Sequence, residues 1–301
     1  MSTSIYLHYD QAELDRQINL RAKWPDHQTY FDRWARESHA VLESRPVLRD
    51  FAYGSLPGER LDLFESQTAG TAQPLLLFIH GGYWQSLDKT DFAYLAPPFL
   101  DRGVAFASLN YSLAPEASIE QMVEQCRNAI LALRRESGRL NIDPKRVVVC
   151  GHSAGGHLAT MMALTQWHSL EPSLTAAPFR AGCSISGLYD LEPVRLSYQN
   201  EILNLDPEVS ARVSPQNCLR DPALPFLCAV GADETEEFLR QQRLFVSEAE
   251  ALGWPITPME CDARNHFSVI DSLADPEHDL FKAVYGLVSA AWRDWALQPW
   301  H

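Results

Sequence analysis

The sequence predicts an α/β protein built on a mostly parallel, doubly wound sheet. Three observations carry this reading. Short apolar runs recur along the chain, they lack the alternation of half-exposed strands, and segments of helical periodicity separate them. The runs are LLLFIH (75–80), VAFASLNY (104–111), RVVVCG (146–151), AGCSIS (181–186), PFLCAVG (225–231) and ITPMEC (256–261). Such runs suit parallel strands buried on both faces, and alternation with helices is the pattern of βαβ winding.

The elements follow in order. Residues 1–45 carry charged and aromatic residues and no strand signal, and read as two helices broken near Pro25. This N-terminal helical extension either covers part of the main domain, residues 46–301, or makes a subunit contact such as that of a homodimer. RDFAYG and RLDLFE, separated by LPGE, alternate in polarity and predict an antiparallel pair at the N-terminal edge of the sheet. Residues 118–133 place Ile119, Met122, Val123, Cys126, Ile130 and Leu133 on one helical face. Ser118 and Gln121 have the spacing of a capping box. Residues 235–252 form a second such face, closed by Gly253. Residues 188–222 hold four prolines and no clear period. They read as an insertion, a small lid over the C-terminal edge of the sheet, where such folds place their sites.

Composition narrows the partners. The 301 residues are 46% hydrophobic and 21% charged, ordinary for a globular protein, with a net charge of -14. That charge argues against nucleic acid and anionic membranes as partners. No apolar run is long enough to span a bilayer, and MSTSIYLHYD lacks the features of a signal peptide. The six cysteines form no CxxC pair and read as reduced core residues. A cytoplasmic protein acting on a small molecule, without cofactor, is the expectation.

The chemistry concentrates at Gly151-His152-Ser153-Ala154-Gly155, which follows an apolar strand and opens a helical segment. G-x-S-x-G in that context is a nucleophile elbow. The turn is so tight that side chains two residues either side would clash, so glycine stands there. The Ser153 hydroxyl then projects above the sheet at a helix N-terminus, where developing negative charge is favoured. A phosphate-binding loop is the rival, but no G-K-[ST] follows. His80-Gly81-Gly82-Tyr83-Trp84 closes an earlier strand. Its glycines allow backbone amides to approach a substrate, which assigns an oxyanion hole to Gly82, Tyr83 and Ala154. An ordinary glycine turn with aromatic packing is the plainer alternative.

Elbow-bearing folds order their triad as serine, acid, histidine. His266, just beyond the last apolar run, is placed to be the base, whereas His278 in DPEHD reads as a solvated loop residue. The acid belongs after PFLCAVG, where Asp233 and Glu234 are adjacent. In many hydrolases of this fold the acid lies three residues after the strand-end glycine, which selects Glu234. The commoner residue type favours Asp233. Glu234 is the assignment adopted, with the other carboxylate left to cap the next helix. No metal is expected: HExxH is absent, and His152 and His157 flank the elbow without forming a ligand set.

Together HGGYW, GHSAGGH, GADETEEF and NHF resemble the kynurenine formamidase (arylformamidase) branch of the α/β-hydrolases, and more broadly the hormone-sensitive-lipase-like esterases. The esterases carry a small residue after His-Gly-Gly, where Tyr83-Trp84 stands here. The resemblance spans roughly residues 50–270 and implies hydrolysis of N-formyl-L-kynurenine to kynurenine and formate through an acyl-enzyme. An aromatic leaving group calls for a flat apolar slot, for which Trp84, Tyr189 and Tyr198 are candidates beside Tyr83. A carboxylesterase or amide/carbamate hydrolase acting on small aryl substrates would use the same triad. A non-catalytic binding relative would have lost a triad member, and here all three residue types stand in order.

Overall fold

The computed structural model describes residues 3–67, 70, 72–220 and 224–289. The last two residues of the expected insertion, and residues 290–301, lie outside these. Eight strands form one sheet: β1 (Val47–Ala52), β2 (Arg60–Phe64), β3 (Gln73–Ile79), β4 (Ala105–Leu109), β5 (Ile142–His152), β6 (Ala181–Ile185), β7 (Phe226–Gly231) and β8 (Ile256–Cys261). Their order is β1-β2-β4-β3-β5-β6-β7-β8. β1 pairs antiparallel with β2, and β2 with β4; every other pairing is parallel. This is the α/β-hydrolase arrangement, and its antiparallel edge comes from the two runs that alternate in polarity. β3 and β7 are buried along their whole length, as continuous apolar runs require. β8 departs from that expectation. It lies at the open edge and alternates in burial, which lets it carry Pro258 without breaking an interior ladder.

The helices in chain order are α1 (Gln11–Ile18), α2 (Leu20–Lys23), α3 (His27–Ser44), α4 (Pro97–Leu100), α5 (Ile119–Arg135), α6 (Ala154–Ala163), α7 (Trp167–Leu170), α8 (Glu192–Leu196), α9 (Asn200–Leu203), α10 (Pro207–Arg212), α11 (Glu236–Ala251) and α12 (Asp279–Val288). The Ser118–Gln121 capping box is formed in both directions at the start of α5. It satisfies two amides that the helix itself leaves without partners. α11 ends where Gly253 adopts φ +78°. Every residue of α6 is buried. Small residues (Ala154, Gly155, Gly156, Ala159) allow that close approach to the sheet.

The sheet order positions the site. β3 and β5 are neighbours, with Ile79 opposite Gly151. From β3 the chain crosses outward to β4, and from β5 it winds the other way to β6. The crevice of a doubly wound sheet lies at such a reversal, beyond the C-terminal strand ends. The loop at 80–84 and the turn at 151–155 are therefore held side by side.

The described part of the first 45 residues contains three helices rather than two, because Asn19, which closes α1 and caps α2, adds a break ahead of the one at Pro25. Trp34 of α3 is almost fully buried. Its Nε1–H donates to Asp271 Oδ1 at 2.8 Å, Tyr94 Oη–H donates to the same oxygen at 3.1 Å, and Arg33 pairs with Oδ2. Residues 188–222 contain α8, α9, α10 and a 3-10 turn at Pro215–Cys218. Five of the six cysteines are buried, Cys218 is half-buried, and all are free thiols. No helix among the described residues is long and apolar enough to cross a membrane.

The burial of Trp34 makes the extension part of the stable structure. Trp34→Ala should destabilise the protein by about 3–5 kcal/mol, measured by urea denaturation. A variant with an unchanged midpoint would show the extension to be a loosely attached arm.

Candidate active site

Ser153 sits between β5 and α6 with φ 57° and ψ -121°, outside the regions favoured by L-residues. The glycines around it explain how the chain tolerates this. A Cβ on Gly151 would collide with the Gly155 carbonyl, and one on Gly155 with the Ile79 carbonyl. Ser153 N–H donates to the Ile185 carbonyl at 2.8 Å, which ties the turn to β6. The Ser153 hydroxyl makes no hydrogen bond to another described residue.

His266 is buried beyond β8, and its Nδ1–H donates to Glu234 Oε2 at 2.7 Å. That bond leaves Nε2 as the nitrogen able to accept a proton. The other Glu234 oxygen accepts from Gly231 N–H at 3.0 Å and from the Ser186 hydroxyl. Both oxygens of this buried carboxylate are thus engaged, by three hydrogen bonds in all, and its orientation is fixed. Asp233 is exposed. The adjacent carboxylates point apart, and only Glu234 meets the imidazole.

Ser153, His266, Gly82 and Tyr83 line one cleft of about 490 Å³. No hydrogen bond joins the serine to the imidazole, and such bonds commonly tighten only with substrate bound. Ala154 is the first residue of α6, so its amide has no partner within the helix. The amides of Gly82 and Tyr83 have no acceptor among the described residues either. Gly82 has φ +105°, a conformation that glycine adopts without penalty. Gly81 packs on the turn itself: a Cβ there would lie 2.9 Å from Ser153 Cβ.

Two expected slot residues are elsewhere. Trp84 is fully buried beneath the loop, donating from Nε1 to His157 Nδ1 at 3.3 Å. His157 Nε2–H in turn donates to the Val213 carbonyl at 2.7 Å. Tyr189 is buried under α11, stacked on Phe245 at 4.4 Å between ring centroids, with its hydroxyl beside Ser184 and Cys228. Neither ring reaches the cleft. Both were read as slot residues because an aromatic near a site motif shows its bulk in sequence but not its direction. Tyr198 does line the cleft, as does Tyr83. Tyr83 and Trp84 both have positive φ, and each is anchored, Tyr83 by donating from its hydroxyl to the Ile18 carbonyl at 2.7 Å. The pair braces a strained loop from opposite sides.

Several site residues carry no sequence signal. Ser186 holds Glu234 and is marked only by its place at the end of an apolar run. His152 Nε2–H donates to the His266 carbonyl at 2.9 Å and so fixes the loop that bears the imidazole. Burial, together with the neighbouring His266, holds the His152 imidazole well below its ordinary range, so it stays neutral. Phe238 meets His266 edge-on at 4.9 Å, and Phe267 stacks beneath Tyr30 of α3 at 5.9 Å. Asn19, Leu20, Arg21 and Phe31, all from the N-terminal helices, line the cleft.

Comparison with known proteins agrees with this geometry. Residues 61–202 match the family described as BD-FAE. The chain is 30% identical over 247 residues to the kynurenine formamidase of Danio rerio, covering 80% of this chain and 82% of that protein. It is 29% identical to the kynurenine formamidase of Salmo salar, covering 90% and 94%. A crystal structure of a Silicibacter protein, described as a candidate thioesterase, superposes with a TM-score of 0.79 at 31% identity, covering 92% of this chain and 99% of that one.

Two predictions follow from the site's polar contacts. Glu234→Gln should lower kcat by roughly 10⁴-fold through loss of imidazole orientation, while Asp233→Asn stays within a few-fold of the parent; steady-state kinetics on one turned-over substrate would show the reverse if Asp233 were the acid. Burial pushes the His157 imidazole down to about 4 from an ordinary 6.5. The unfolded chain therefore binds the extra proton between those values, and stability that is whole above pH 6.5 is lost as pH falls toward 4, by about 3 kcal/mol in all. The urea midpoint should drop between pH 7 and pH 5, and His157→Gln should flatten that slope. A variant retaining the full slope would assign it to other groups. The fold, the cleft and the similarity along most of the chain lead to one assignment: the chain belongs to the kynurenine formamidase family of α/β-hydrolases and is a hydrolase of the arylformamidase or esterase type.

Proposed function

We propose that the protein hydrolyses an aryl formamide, N-formyl-L-kynurenine, to kynurenine and formate, with Ser153 as nucleophile, His266 as general base and Glu234 as its orienting acid. The observation that carries the reading is the cleft, where Ser153 and His266 share the walls with Phe31, Tyr83, Tyr198 and Phe267. A planar aryl leaving group matches such a lining. The loop packed against Ser153 at Gly81 leaves little room beside the serine, which suits an acyl group as small as formyl.

In this mechanism Ser153 Oγ attacks the formyl carbon as His266 Nε2 takes the hydroxyl proton. Negative charge develops on the formyl oxygen, and the amides of Gly82, Tyr83 and Ala154 stabilise it. The tetrahedral intermediate collapses, the C–N bond breaks, and His266 returns the proton to the leaving nitrogen. Delocalisation of the nitrogen lone pair into the ring makes this bond easier to cleave than an alkyl amide. Water, deprotonated by His266, then releases formate from the formyl-serine.

The test is a substrate series at fixed aryl amine. kcat/KM should fall by roughly 10–200-fold from formyl to acetyl, the discrimination a pocket can make against one added carbon. In parallel, N-formylkynurenine should be turned over with a higher kcat/KM than p-nitrophenyl acetate. The opposite ranking would make the protein a carboxylesterase.

A further inference from the structure

The cleft contains two charged side chains that the hydrolytic machinery does not use. Among the described residues that line it, Arg21, from α2, is the only arginine or lysine, and Glu201, from α9, is the only aspartate or glutamate. Both are exposed at the cleft, and neither forms an ion pair with the other or with any described residue. By contrast, Arg33, Arg195 and Arg240 each pair with a nearby carboxylate.

Arg21 is held rather than loose. Its Nη2–H donates to Ser86 Oγ at 3.2 Å, and its guanidinium lies over the Phe31 ring at 5.5 Å from the centroid. Ser86 Oγ–H in turn donates to the Gly82 carbonyl at 3.0 Å. The guanidinium therefore stands two hydrogen bonds from the oxyanion loop, against an aromatic wall, with its remaining donors open. Glu201 comes from α9, in the segment that also brings Tyr198 and Ile202 to the cleft. Two opposite charges that do not pair with each other, on two separate elements lining one cleft, match a ligand that carries both charges itself.

We propose that Arg21 and Glu201 form the subsite for the α-amino-acid end of the leaving group, Arg21 binding its carboxylate and Glu201 its ammonium. This rests on Ser153 and His266 acting as proposed in the same cleft. Arginine suits the first task because its planar donors match a carboxylate bidentately. The subsite makes specificity a property of the N-terminal helices and the 188–222 segment, while the sheet supplies the chemistry.

The experiment uses three aryl formamides with the wild-type protein, Arg21→Gln and Glu201→Gln. The first is N-formyl-L-kynurenine, the second its des-amino analogue, which keeps the carboxylate alone, and the third 2-formamidoacetophenone, which has neither charge. Arg21→Gln should raise KM about tenfold for the first two, the effect of one charge-assisted contact, and leave the third unchanged. Glu201→Gln should raise KM for the first alone. Arg21→Lys should recover part of the loss. A uniform fall across all three substrates would assign Arg21 a structural role through Ser86, and no change for any would remove the subsite; either overturns the proposal. The three corresponding phenols, with oxygen in place of the aryl nitrogen, are assayed as aryl acetates. If only the acetates are cleaved, the formamidase reading fails, and the subsite stands or falls on the same pattern within that series. Turnover of neither series by the wild-type protein overturns both.

Discussion

The close approach of backbone at the ends of β3 and β5 is the constraint on which the rest of the site depends. Gly151, Gly155 and Gly81 sit where any Cβ would meet a carbonyl or the serine itself. Because these three positions carry only hydrogen, the turn at Ser153 and the loop at 80–84 can occupy neighbouring space. Adjacency of β3 and β5 in the sheet brings the two segments together, and their missing side chains let them touch. The strained backbone of Ser153 follows, as does the fixed position of the loop that carries the Gly82 and Tyr83 amides. Preorganised donors of this kind need no rearrangement when charge develops.

A strained segment persists only where its surroundings over-determine it. Here the supports are aromatic. Trp84 is pinned from below by His157, whose other nitrogen is tied to the Val213 carbonyl, and Tyr83 is pinned from the side by the Ile18 carbonyl. His80 Nδ1–H donates to the Gly81 carbonyl at 2.8 Å, and the His80 ring stacks on Tyr111. These histidines are buried and held below their ordinary range by loss of solvation, so they remain neutral donors near neutral pH. The aromatic pair that separates HGGYW from esterase-type loops is thus explained at least as well by bracing the loop as by touching a substrate.

Legibility in the sequence tracked how local the governing physics is. The Ser118–Gln121 box, the antiparallel edge and the elbow depend on neighbours a few residues apart, and each could be read directly. The placement of Glu234 opposite His266 could be narrowed to two adjacent carboxylates, because the strand-end glycine sets the count. What turned the choice is the pair of contacts from Ser186 and Gly231, and Ser186 comes from a different strand. Trp84 and Tyr189 were misread for the same reason: in a loop, no periodicity tells which way a ring points. The three helices of the first 45 residues were half legible, since aromatics without a strand signal fit either a cover or a subunit contact.

That extension links stability to the site. Asp271 gathers hydrogen bonds from Trp34 and Tyr94 and an ion pair with Arg33, and it follows closely on the loop that bears His266 and Phe267. Phe267, next to the imidazole, packs against Trp24, His27, Tyr30 and Phe31. The histidine loop is therefore held from one side by the sheet, through His152, and from the other by the N-terminal helices. The same helices present Arg21 and Phe31 to the cleft. A change in the extension that loosened its packing would move the imidazole and this wall of the cleft together, whereas a change at an exposed cleft residue would alter the wall alone. This separates the two roles of the segment physically: buried rings fix where the His266 imidazole stands, and the exposed face of the same helices shapes the cleft in front of it.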